Sequence, residues 1–187
     1  DDSVRTAAEL TAKAARTAPL DGRPLFAANA ALPWPTDPLA MLWHATTLLR
    51  EQRGDAHVAV LVSSGMSGRD CNVLHAAAGR VPAEMIMRTR DYDDEQWRHH
   101  QGRLIERGLL NGDGELTAAG RELKQHIEDT TDALGLSALE ALDDGEVEEL
   151  FRALTPITRA VIAGGDVPAA TPMGLQRDDL DDDSAGL

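Results

Sequence analysis

Six histidines and a single cysteine have the widest chemical range in this sequence. Cys71 and His75 stand four residues apart in a stretch that reads as helix, a spacing that lets two side chains reach one metal ion. No third or fourth ligand stands at matching spacing. A lone cysteine among apolar residues reads first as a small hydrophobe, and a histidine there as a hydrogen-bonded core residue. No metal is assigned, and Cys71 and His75 remain the two weak candidates. Trp34 and Trp43 lie either side of a proline turn, with His44 beside the second. An aromatic wall next to a histidine suits a small-molecule pocket, although tryptophans that tie one segment to a core are the plainer reading. His57 and His75 complete the ligand-binding set of Trp34, Trp43, His44, His57 and His75. His99 and His100 read as solvated or at a helix edge. There is no glycine-rich phosphate loop after a strand, no nucleophile elbow and no zinc-binding HExxH helix. An enzyme built on His44, His57 and His75 therefore stands third among the readings, and no cofactor is indicated.

The elements that must carry these residues are mostly helical. Val4 to Thr17 is alanine-rich, with Val4, Ala8, Thr11 and Ala14 on one side, and ends before Pro19. Prolines 24, 33 and 35 bracket a brief helical turn around Leu25-Phe26-Ala27-Ala28. Asp37-Pro38 opens a core helix through Leu39, Leu42, Trp43, Thr46 and Leu49, expected to stop at Gly54. Asp55 is expected to cap a second helix closed by Gly65, and Ser67 a third closed by Gly79. Pro82 to about Arg90 precedes the stretch on which the rest turns, Asp93 to Arg121. There Asp93 and Gln96 form a capping box, and Trp97, Leu104 and Ile105 line one face up to Gly108. The turn Asn111-Gly112-Asp113-Gly114 and a short return at Glu115-Leu116 make a hairpin. Thr117 caps a further helix, with Leu123, Ile127 and Leu134 inward, that ends near Gly135. A last helix starts near Asp144 and carries Pro156, which should kink it.

Leu104-Ile-Glu-Arg-Gly-Leu-Leu110, the turn, and Leu116-Thr-Ala-Ala-Gly-Arg121 resemble the recognition helix, wing and following helix of MarR-type winged-helix regulators. More widely, Gly22 to Pro35, Leu42 to Arg50 and Gly54-Asp-Ala-His57 resemble a family of uncharacterised actinobacterial helix-turn-helix proteins. The resemblance implies a mainly α winged helix with a two-stranded wing, and no chemistry. It also implies that this chain, beginning at Asp1, is the C-terminal part of something longer. One departure stands out: the segment between the two helices, around Asp91-Tyr92, lacks the glycine that many such turns carry.

The chain of 187 residues has 42% hydrophobic and 3% aromatic content, which suits packed helices. The expected division is an N-terminal arm over 1–36, a winged-helix domain over 37–165 and an acidic tail over 166–187 whose composition predicts disorder. One cysteine offers no disulfide framework, and no run reaches membrane-spanning length. The cytoplasm is the expected location.

The formal net charge of −14 opposes a phosphate-backbone partner. Without the five aspartates at 178, 179 and 181–183 the remainder still stands at −9. In the expected reading head, Arg88, Arg90, Arg98, Arg103 and Arg107 are matched by Asp91, Asp93, Asp94, Glu95 and Glu106. The first reading is accordingly a winged-helix scaffold for a small molecule or protein partner, dimeric, with DNA binding weak or absent. The second is a ligand-responsive MarR-like transcriptional regulator that contacts DNA through Arg98, Gln101, Arg103 and Asn111.

Overall fold

A computed structural model describes residues 2–79, 81–174 and 176–177. The aspartates of the expected acidic tail, at 178, 179 and 181–183, lie outside the described residues. Among those described, the chain forms eight α-helices and no strand: α1 (Asp2–Thr17), α2 (Pro24–Ala30), α3 (Pro38–Ser63), α4 (Gly68–Ala77), α5 (Ala83–Thr89), α6 (Asp94–Glu106), α7 (Ala118–Leu136) and α8 (Asp144–Ala163). It divides into two compact units, whose boundaries fall within α3 and α7.

The first unit takes the chain up to His57 and again over Thr131–Ala169. Alanine makes α1 slim enough for close approach, and it packs along α8. Ala7, Ala8 and Ala14 lose all exposure against Leu42, Leu142, Leu150 and Ala153. Ala12 and Ala15 pack in a second cluster around Phe26, Ala45, Leu48 and Ala138. Each fully buried large side chain, such as Phe26 or Leu48, contributes about 2 kcal/mol. Pro24 sits in the first turn of α2, where its missing amide proton is not needed.

The expected stop at Gly54 does not occur, because α3 runs unbroken for 26 residues. A mid-helix glycine costs only about 1 kcal/mol relative to alanine, which burial on either side of it offsets. Asp55 is therefore no cap for a following helix. It is buried, and its carboxylate accepts the amide of Phe26 at 2.9 Å, serving the first turn of α2 instead. Similarly, α7 continues through Gly135 to Leu136 before a short 3-10 turn at Ser137–Leu139. The Leu134 carbonyl near its end accepts from Ser137 at 2.7 Å and Gln52 at 3.3 Å.

The second unit comprises Val58–Thr130 with Ala170–Gln176. Ser67 and Asp70 form a capping box that starts α4, and Asp93 with Gln96 forms another that starts α6. After α6, Gly108 at φ +70° lets its amide bond to the Ile105 carbonyl and that of Leu109 to Leu104, a two-bond C-terminal cap. Leu104, Leu109, Leu110 and Ile127 close a core with Val60, Leu61, Val73 and Leu74. Leu104 is fully buried and Trp97 partly so, but Ile105 is 36% exposed, and in the first unit Leu134 is 38% exposed. Both inward assignments are corrected: each stands at the margin of its helix stripe, where the helical period leaves it on the open side.

In place of a two-stranded wing, residues 110–116 show a single antiparallel bridge, Leu110 with Leu116. Only two residues separate Gly114 from Thr117, whose hydroxyl accepts the Gly120 amide at 3.0 Å to begin α7, so there is no room for a ladder. A Cβ on Gly120 would stand 2.1 Å from the Leu109 carbonyl oxygen, which makes glycine obligatory at this crossing.

Candidate functional site

In the second unit α6 packs against α4 and stands in chain order between α5 and the bridge-forming turn. Its seat is one carboxylate. Asp70, 1% exposed, projects from the first turn of α4 and accepts the Ser67 amide at 3.2 Å. Its other oxygen, Oδ1, meets His100 Nδ1 of α6 at 2.8 Å, and Arg103 approaches the Oδ2 that accepts the Ser67 amide, to 3.5 Å. Burial alone would raise the Asp70 carboxyl, but the hydrogen bonds from His100 and Ser67, with the Arg103 charge, together hold it below the ordinary value. Tyr92 adds a second fastening. Its hydroxyl donates to the Arg69 carbonyl at 3.2 Å and accepts from Asn72 at 3.0 Å, while the Arg69 guanidinium lies 4.5 Å from its ring centroid. The glycine missing between α5 and α6 is replaced by Asp91, at φ +54°, a left-handed conformation that aspartate tolerates better than most residues.

The same geometry places the four DNA-contacting candidates. Arg103 faces Asp70. The Gln101 amide rests against Gly114, 2.2 Å from where a Cβ there would stand. Asn111 Oδ1 accepts the amides of Asp113 at 3.0 Å and Glu115 at 2.9 Å, and its Nδ2 donates to the Glu115 carboxylate at 3.1 Å. Arg98 is exposed and has no ion-pair partner among the described residues. Arg107 is also occupied, donating to the carbonyls of Gly65 at 2.8 Å and Ser64 at 3.1 Å beyond the end of α3.

A profile of a helix-turn-helix family matches residues 1–168. The chain belongs to this helix-turn-helix family. Searches among curated proteins and among solved structures give no match.

In this helix-turn-helix protein the small-molecule candidates separate. Trp34 and His44 meet edge to face, ring centroids 4.8 Å apart, and the Arg16 guanidinium lies 4.2 Å from the Trp34 centroid. Trp43, 77% exposed, points to solvent. His57 Nδ1 stands 3.0 Å from the hydroxyl of the fully buried Thr131. His75 and Cys71 share α4, where burial pushes the thiol pKa up, away from the thiolate a metal needs. Among the described residues no three His, Cys, Asp or Glu side chains are grouped to hold a metal ion, and no helix is long and apolar enough to cross a membrane.

Asp70 and Arg16 were among the residues of this geometry that were not singled out from sequence. Asp70 carried a signal, the Ser67-x-x-Asp70 spacing of a capping box. Arg16 carried none, since nothing in spacing ties it to Trp34.

Proposed function

We propose that this helix-turn-helix protein is a scaffold of MarR-like, winged-helix form that holds a small molecule or a protein partner and binds duplex DNA weakly or not at all. The observation behind this is that Gln101, Arg103 and Asn111 already meet partners within the unit: Gly114, Asp70 and the turn's own amides. Affinity for duplex rests largely on cations that displace counterions from phosphate. Here α6 begins instead with Asp93, Asp94 and Glu95, which suit the helix dipole and repel phosphate. The turn at Asn111–Gly114 would serve as the wing, and it offers Asp113 where a minor-groove wing uses Arg or Lys. The same reading puts the protein in the cytoplasm as a dimer.

A second reading, a ligand-responsive DNA-binding regulator, is favoured by family membership and by Arg88, Arg90 and Arg98, which have no ion-pair partner among the described residues. Fluorescence anisotropy with the protein's own upstream DNA at low salt separates the two. The scaffold reading expects dissociation constants of about 10 μM or weaker, equal for a scrambled duplex, in the non-specific range. Submicromolar, sequence-selective binding that is lost in Arg98→Ala would establish the regulator instead.

A further inference from the structure

Beside Trp34, within the first unit, lies a groove of about 480 Å³ that is open to solvent. Half-buried Met41 of α3 supplies its apolar wall above the nearly buried Ala12 of α1, and Glu9, Lys13, Arg16 and Thr17 of α1 form its exposed rim. The volume lies within the range of small-molecule sites. Its two cations differ. Lys13 is bound by both oxygens of Glu146, at 2.5 and 2.6 Å. Arg16 has no carboxylate partner among the described residues, in a chain of net charge −14 where carboxylates are in excess. It stacks on Trp34, 4.2 Å from the ring centroid, and Trp34 is braced in turn by His44. Stacking occupies the face of a guanidinium and leaves its in-plane donors, which match a carboxylate in two parallel bonds. The side chain is thus ordered before any anion arrives, which lowers the cost of binding one.

We infer that this groove binds a small organic monoanion, its carboxylate or sulfonate on Arg16 and its apolar body against Met41. Glu9, about 10 Å along the same face of α1, disfavours a second negative charge at the far end. This deepens the small-molecule reading above and rests on it. The test is an NMR titration of the full chain with naphthalene-2-carboxylate, following the Met41 methyl and the Trp34 indole N–H, with neutral naphthalene-2-carboxamide as control. Expected is saturable one-site binding that moves both signals, with affinity at least tenfold weaker for the carboxamide and for Arg16→Gln. Lys13→Gln should change affinity less, since Glu146 already holds that charge. Equal affinity for the carboxamide, unchanged affinity in Arg16→Gln, or no saturation at millimolar probe would overturn the proposal. Native mass spectrometry of protein taken directly from its source separates the failures. A retained small molecule whose presence leaves the Met41 and Trp34 signals unmoved sinks the groove alone, whereas no retained molecule together with no titration sinks the small-molecule reading too.

Discussion

Asp70 is a nearly buried carboxylate in the second unit, and its charge must be met where it sits, by Ser67, His100 and Arg103. Removing it as Asp70→Ala leaves His100, Arg103 and the Ser67 amide without their acceptor, and the expected cost is about 3 kcal/mol, read from urea unfolding at neutral pH. The pH dependence has a definite sign. The folded carboxyl lies below its ordinary value, so the stability it confers is fully present above the ordinary carboxylate range, near pH 4, and is lost as pH falls through the lowered folded value. Between about pH 5 and 2, Asp70→Asn should show a shallower fall in urea midpoint than the parent protein; parallel curves would refute the assignment. Asp70 was half legible. Its cap spacing from Ser67 is written in sequence, whereas its meeting with His100, thirty residues on, depends on how α4 and α6 cross. Asp91 makes the same point from the other side: the absence of a glycine is visible in sequence, but not that aspartate itself would take the left-handed turn.

At the scale of elements, caps were the legible part. The starts at Ser67, Asp93 and Thr117 and the glycine after α6 are local devices whose partners lie within four residues, so sequence alone specifies them. The interior glycine of α3 misled because its cost is small beside the burial that holds α3 together. Gly54→Ala follows directly. A Cβ there would meet only the Glu51 carboxylate, at an ordinary 3.7 Å, so the substitution should stabilise by about 0.5–1 kcal/mol. That corresponds to a rise in Tm of roughly 1–4 °C by calorimetry in a chain of this size. A fall would mean that α3 needs a break at that point. The candidate groove was the least legible element. Trp34 and His44 were readable as aromatic neighbours of a proline turn, but Arg16 arrives from a separate helix and Trp43, the obvious partner by adjacency, points outward.

The whole molecule leaves large apolar side chains on its surface, among them Trp43 at 77%, Leu39 and Leu136 at 62% and Phe151 at 47% exposure, all in the first unit. Single exposed leucines are ordinary, but a tryptophan this open is costly to leave in water. On the dimer reading a second copy covers part of this surface. Sedimentation equilibrium should therefore give a species near twice the 20.1 kDa chain mass, and Trp43→Glu should return it to one chain mass. A concentration-independent 20.1 kDa species in the parent protein would end that reading. The way the first unit is threaded has a further consequence, for synthesis. Its main helix pair, α1 with α8, joins segments on either side of Val58–Thr130, the long segment of the second unit. From Thr17 to Asp144 a ribosome adds 127 residues, about 6–25 s of translation, during which the alanine face of α1 has no α8 to meet. The second unit, contiguous but for one short segment, can fold first. The nascent chain therefore carries an open α1 throughout that interval, in which a chaperone would find it.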